Sequence, residues 1–102
     1  MTKAPEFDNW SCVTDLVKQA VKDDQHEMLL AMMLTADERE ALVSRANILY
    51  ELLQGDLSQR QISQMLGVGV ATITRGSNEL KSRSDQERQA LFELLKAQIG
   101  SK

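Results

Sequence analysis

The chain has 102 residues, of which 42% are hydrophobic and 26% are charged, and its formal net charge is −3. This composition fits one packed domain and argues against a disordered tail or a second domain. A single cysteine, Cys12, and a single histidine, His26, exclude an intramolecular disulfide and a Cys/His metal cluster. Because no apolar run has the length of a signal peptide or a membrane span, we predict that residues 1–102 form one cytoplasmic domain without metal or membrane contact.

The predicted elements are all helices. Four helix starts carry a capping box, in which Asp, Ser or Thr is followed three residues later by Glu or Gln, and these boxes begin at Asp24, Thr35, Ser58 and Ser84. Between these starts apolar residues recur at three- and four-residue spacing, and no stretch alternates as a strand would. The pattern predicts an all-α subunit with six helices near residues 7–22, 25–33, 36–54, 59–66, 70–82 and 85–98.

The apolar faces of these helices exceed what so short a chain can bury by itself. Its aromatic residues are two phenylalanines, one tyrosine and one tryptophan, so the core of one subunit is small. The surplus is most simply buried against a second copy of the chain. We therefore predict a homodimer.

Residues 58–82 have the pattern of a helix-turn-helix. Gly67 permits the left-handed backbone of a tight turn, Ile62 and Ile73 face inwards on the two helices, and Val68 fills the turn. In such a motif the second helix enters the major groove of DNA and its N-terminal residues meet the base edges. The sequence therefore predicts a DNA-binding motif in the middle of the chain.

The distribution of charge agrees with DNA binding although the chain is acidic overall. Residues 1–57 hold five basic and eleven acidic side chains, whereas residues 58–83 hold four basic side chains and one acidic. Salt screens each charge beyond roughly 10 Å, so a local basic patch is enough to attract phosphate.

Candidate DNA contacts lie on the outer face of the second helix, at the start of the first, at Lys81 and at the backbone amides beside the glycines. They are Gln59, Arg60, Gly67, Gly69, Val70, Ala71, Thr72, Thr74 and Lys81. Long side chains that make bidentate base contacts are scarce on the outer face of the second helix, so direct base recognition there depends on threonine hydroxyls, apolar contacts or bridging waters. Arg60 is the best candidate for a guanine or phosphate contact.

The segments LTADEREAL (34–42) and LLQGDLSQRQISQMLGVGVATITRGSNELK (52–81) resemble the tryptophan repressor family. The resemblance is specific over residues 30–83 and looser elsewhere. It implies an intertwined homodimer that binds operator DNA of tryptophan biosynthesis genes when the corepressor L-tryptophan is bound. Gly76, which the helix-turn-helix alone does not explain, would then leave space for the indole.

The same resemblance implies the residues of an L-tryptophan site. Arg45 and Arg75 match two arginines that sandwich the indole, and Arg75 also pairs with the ligand carboxylate. Thr35 matches a residue whose hydroxyl assists in ligand binding. Backbone carbonyls at Met32 and Leu34, contributed by the second subunit, match those that receive the ammonium group.

Glu79 departs from the family pattern, because it stands where a serine near the ligand's amino group is typical. It follows Arg75 by four residues and shares its helix face, so the two side chains can pair. The carboxylate could also attract the ligand ammonium, and it places a negative charge near the recognition helix. We therefore include Glu79 in the predicted site.

Two other functions stay open at this point. One is a helix-turn-helix regulator that responds to another amino acid or to an indole derivative. The other is a helical adaptor that binds an acidic protein through the basic segment. An enzyme is not predicted, because no nucleophile and base, metal set or phosphate loop has suitable spacing.

Overall fold

The computed structural model describes residues 3–100, and over that range the chain forms six α-helices and no strand. The helices are α1 Trp10–Lys22, α2 His26–Met33, α3 Ala36–Gln54, α4 Gln59–Leu66, α5 Val70–Lys81 and α6 Asp85–Gly100. The predicted all-α class with six helices is confirmed. Among residues 3–100, no helix combines the length and the hydropathy of a membrane span.

The start of α1 and the start of α2 differ from the prediction. The side chain of Asn9 accepts a hydrogen bond from the backbone N–H of Cys12 at 3.1 Å, and this cap begins α1 at Trp10 rather than near residue 7. The predicted capping box at Asp24 is wrong. Asp24 has a φ of 57° and its N–H donates to the carbonyl of Val21, so it ends α1 instead of starting α2.

The other three predicted capping boxes are confirmed. Thr35 Oγ1 accepts from the N–H of Glu38 at 3.1 Å, and Glu38 Oε1 accepts from the N–H of Thr35 at 2.9 Å. The same reciprocal pair of bonds joins Ser58 with Gln61 and begins α4. A third pair joins residues 84 and 87 at the start of α6. Each box satisfies N–H groups that the first helical turn leaves without partners.

The chain divides into two compact units, one up to Arg39 and one from Glu40 onward. The core of the second unit joins one isoleucine from each of α3, α4 and α5, and Ile48, Ile62 and Ile73 are all at most 2% exposed. Leu66 and Val68 pack against them, which confirms the inward positions predicted for the helix-turn-helix. The first unit consists of α1 and α2 with the start of α3.

Many large apolar side chains remain exposed along the described chain. They include Phe7, Trp10, Met28, Met32, Val43, Leu94 and Ile99. Trp10 is 75% exposed although its spacing places it on the apolar face of α1. This exposed apolar surface is the feature on which the predicted homodimer depends. The dimer itself stays a prediction.

Candidate ligand pocket and nucleic-acid interface

The turn between α4 and α5 is held by hydrogen bonds around Ser63. Gly67 has a φ of 69° and its N–H donates to the Ser63 carbonyl at 2.9 Å. Ser63 Oγ donates to the carbonyl of Val68 at 2.5 Å, which closes the turn from its other side. A side chain at Gly67 would be strained in this left-handed conformation. The turn therefore fixes the direction in which α5 leaves α4.

The outward face of the motif contains most of the residues predicted to contact DNA. Val70, Ala71 and Thr74 are exposed on α5, and Arg60 and Lys81 are also exposed. Such a surface offers hydroxyl, apolar and cationic groups to a polyanion.

Three of the predicted DNA contacts also make contacts within the protein. Thr74 Oγ1 lies 2.9 Å from Gln59 Oε1 and donates to it, so the two helices are tied together across the outward face. Thr72 is half-buried and lines a pocket on the inner side of α5.

The N-terminus of α5 is left open for an anion. Its N-cap residue is Gly69, which supplies no side-chain hydrogen bond, whereas α1 and α4 are each capped by a side chain. The first N–H groups of a helix have no intrahelical partner and carry partial positive charge. The N–H groups of Gly67 and Val68 both donate to the Ser63 carbonyl within the turn, so the amides available here begin at Gly69. The arrangement suits a phosphate group.

A pocket of about 460 Å³ lies between α3 and α5, within the second unit. Its size is that of a small-molecule site. The lining residues are Ala41, Ser44, Arg45, Ile48, Leu49, Thr72, Arg75, Gly76 and Glu79. Four residues of the predicted ligand site are thus brought together: Arg45, Arg75, Gly76 and Glu79. The other three, Met32, Leu34 and Thr35, belong to the first unit and do not line this pocket.

Gly76 allows α5 to approach α3 closely. A Cβ atom at this position would lie 3.1 Å from Ile48 Cγ2 and 3.5 Å from Leu52 Cδ1. The first distance is shorter than ordinary van der Waals contact, so a side chain would press on the buried Ile48. The glycine therefore serves the packing of the two helices as well as the shape of the pocket.

The charged groups of the pocket are paired differently from the prediction. Glu79 Oε1 accepts from Arg83 at 2.7 Å from Nη2 and 3.0 Å from Nε, and it does not pair with Arg75. The hydrogen bond and charge of Glu79 raise the pKa of Arg83. Arg75 Nη2 instead donates to Thr72 Oγ1 at 3.3 Å. A glutamate pairs better with a base four residues after it than with one four residues before it, and this preference explains why Glu79 pairs with Arg83 rather than Arg75.

The end of α2 presents backbone carbonyls, and one of the predicted acceptors is already in use. Arg39 Nη1 donates to the Leu34 carbonyl at 2.9 Å and to the Ala31 carbonyl at 3.1 Å. Thr35 caps α3, and its bonds to Glu38 lower the pKa of that carboxyl. Met32 is 78% exposed.

Sequence reasoning missed three arginines, Arg39, Arg83 and Arg88, each of which binds a helix end or a pocket residue. A signal for two of them was present, because Arg39 and Arg88 each follow directly after the glutamate of a capping box.

Known proteins resemble this chain over nearly its whole length. The family model described as Trp repressor protein matches residues 8–95. A Trp operon repressor homolog of Vibrio cholerae serotype O1 is 70% identical over 95 residues, covering 93% of this chain and 92% of the relative. One from Vibrio atlanticus is 63% identical, covering 93% and 97%. One from Aliivibrio salmonicida is 56% identical over 101 residues, covering 99% and 94%.

Proposed function

The chain belongs to the Trp repressor family, and on that premise we propose that it binds L-tryptophan in the pocket between α3 and α5 and operator DNA through α4 and α5. It is a tryptophan-responsive transcriptional repressor and not an enzyme. The proposal includes an intertwined homodimer in the cytoplasm. Its targets are operators of tryptophan biosynthesis genes, in keeping with the name of the relatives.

The observation that carries the ligand proposal is the lining of the pocket, where Arg45 and Arg75 accompany apolar side chains of α3. A guanidinium attracts the face of an indole ring, so two arginines can hold the ring from both sides. Arg75 also offers donors that suit the ligand carboxylate, since arginine pairs with carboxylates through more than one N–H group. Gly76 leaves the wall between them free of a side chain.

The ammonium group of the ligand is proposed to reach the end of α2 of the second subunit. The C-terminus of a helix carries partial negative charge, and the carbonyls of Met32 and Leu34 lie there. Although Leu34 already accepts from Arg39, a carbonyl oxygen has two lone pairs and can accept again. The Thr35 hydroxyl, at the start of the next helix, is proposed to assist ligand binding. Glu79 adds a carboxylate at the edge of the pocket that can attract the ammonium group.

Ligand and DNA are coupled through α5, which belongs to both sites. Thr72, Arg75 and Gly76 line the pocket, while Val70 and Thr74 are exposed on the outward face. A bound ligand stabilises the orientation of α5 that suits DNA, so the population shifts towards the binding state. Helix-turn-helix dimers, the Trp repressor among them, bind half-sites one helical turn or multiples of it apart, roughly 34–36 Å per turn.

The proposed DNA contacts are the residues predicted from the sequence, and the chemistry of each indicates which part of the DNA it binds. Arg60, Lys81 and Gln59 bind phosphate or base edges from exposed or half-buried positions. The open N-terminus of α5 at Gly69 receives a phosphate. The exposed side chains at the start of α5, those of Val70, Ala71 and Thr74, meet the base edges. Thr72 acts from the pocket side of α5, and Gly67 acts by shaping the turn.

Two arginine variants test the two sites separately. Arg45→Ala removes one side of the indole sandwich and should weaken L-tryptophan binding about tenfold, as expected for a desolvated cation–π contact. Arg60→Ala should leave L-tryptophan binding unchanged and weaken binding to the upstream DNA of tryptophan biosynthesis genes about tenfold. Calorimetric titration measures the first and a gel-shift assay at saturating L-tryptophan measures the second. The opposite pattern would contradict both assignments.

A further inference from the structure

Three charged residues lie four positions apart along α5 and its C-terminal extension: Arg75, Glu79 and Arg83. Glu79 therefore has Arg75 four residues before it on α5, and Arg83 four residues after it, just beyond the end of the helix. Its carboxylate contacts Arg83 through both Nη2 and Nε. Among residues 3–100, Arg75 forms no ion pair, and its guanidinium bonds to the hydroxyl of Thr72 inside the pocket lining.

The preference of Glu79 for Arg83 has three physical causes. An acid placed four residues before a base pairs better than the reverse order. Arg83 follows the C-terminus of α5, where the helix dipole favours a cation. A second carboxylate oxygen, Glu87 Oε2, lies 3.7 Å from Arg83 Nη1 and helps to hold the guanidinium in place.

We propose that Arg83 is a positioning residue that holds Glu79 away from Arg75 and so keeps the Arg75 guanidinium free for the ligand carboxylate. The inference rests on the proposed function of the pocket. Without Arg83, the next cation on the same face is Arg75, and Glu79 would compete with the ligand for it. Because the competition concerns a carboxylate site, it weakens only ligands that carry a carboxylate.

The test compares three ligands on the Arg83→Ala variant by calorimetry at low salt, where charge effects are least screened. L-Tryptophan and indole-3-propionate carry a carboxylate, whereas tryptamine does not. The affinity for indole-3-propionate should fall about twofold, the size expected when one helix-surface ion pair competes with the ligand carboxylate. The affinity for L-tryptophan should fall less, because the released Glu79 also attracts its ammonium group. The affinity for tryptamine should not fall, because the released Glu79 is attractive to an amine.

A second substitution distinguishes positioning from a general effect on the fold. Arg83→Ala combined with Glu79→Gln removes the competing charge and should restore the affinity for indole-3-propionate to the wild-type value. Arg83→Lys keeps a cation and should retain that affinity. Lys18→Ala removes one exposed positive charge from α1 and serves as the charge-matched control, with no change expected.

Three outcomes would overturn the inference: an unchanged affinity for indole-3-propionate in Arg83→Ala, an equal loss for tryptamine, or no restoration by Glu79→Gln. In each of these cases wild-type protein still binds L-tryptophan, so the proposed pocket stands. If wild-type protein binds none of the three ligands, the pocket assignment and this inference both fail.

Discussion

The junction between α2 and α3 and the junction between α5 and α6 are built from the same sequence pattern. The segments TADEREAL (35–42) and SDQERQAL (84–91) each begin with a hydroxyl residue, place glutamate three positions later and follow it with arginine. In both, Arg39 or Arg88 donates to carbonyls eight and five residues before it, at the end of the preceding helix. One short pattern thus starts a helix and caps the one before it.

The two junctions differ in burial and in what surrounds the arginine. Arg88 also binds the carboxylate of Asp85, its side chain is 31% exposed, and its bond to the Leu80 carbonyl is partly buried. Arg39 is exposed, and so are its bonds. A hydrogen bond contributes more where the alternative bond to water is absent. The same local pattern therefore contributes unequally to stability at the two junctions.

The largest expected effect is the loss of stability when the arginine of the α5–α6 junction is removed. Arg88→Ala should lower the free energy of unfolding by about 2 kcal/mol, because it leaves the partly buried carbonyl of Leu80 without its charged partner. Arg39→Ala should lower it by only about 1 kcal/mol, since water can replace its bonds. Urea unfolding followed by circular dichroism, at one protein concentration for all variants, measures the difference. Equal losses of unfolding free energy in the two variants would show that the burial of Arg88 does not make its contacts more stabilising than those of Arg39.

A smaller loss of stability is expected at both junctions when the N-cap is removed, but only the α2–α3 junction is proposed to contact the ligand. Thr35→Ala and Ser84→Ala each remove an N-cap and should each lower the free energy of unfolding by about 1 kcal/mol. Thr35→Ala should in addition weaken L-tryptophan binding, because its hydroxyl is proposed to assist the ligand. Ser84→Ala is its matched control. Titration of both variants with L-tryptophan checks this, and an equal change in affinity would remove Thr35 from the site.

The smallest effect concerns acid pH. Bonds to the backbone N–H groups of Thr35 and Ser84 lower the pKa of Glu38 and of Glu87. A carboxyl with a lowered pKa stabilises the fold at and above the ordinary pKa of glutamate, and this contribution is lost as the pH falls through the lowered value. Glu38→Gln and Glu87→Gln keep the reciprocal bond but do not titrate. Both should therefore lose less stability than wild type between neutral and acid pH in thermal unfolding, and an unchanged acid response would contradict the assignment.

Much of the candidate site was predictable because its residues carry recognisable chemistry. Arg45, Arg75 and Gly76 were placed in one site by resemblance, and the pocket contains all three. The partner of Glu79 was not predicted, although the better orientation for a base four residues after an acid points to Arg83. The second role of Thr72 could not be predicted, because it depends on which side of α5 faces α3.

The six helices, three of the capping boxes and the glycine turn at Gly67 follow from the sequence alone, because each depends on residues within about four positions of one another. Other features depend on residues far apart in the chain and follow only from packing. The approach of Gly76 to Ile48 sets the spacing of α5 and α3 and so forms the pocket. Packing also decided that Arg88 is more buried than Arg39, because burial is a property of neighbouring helices and not of the local pattern.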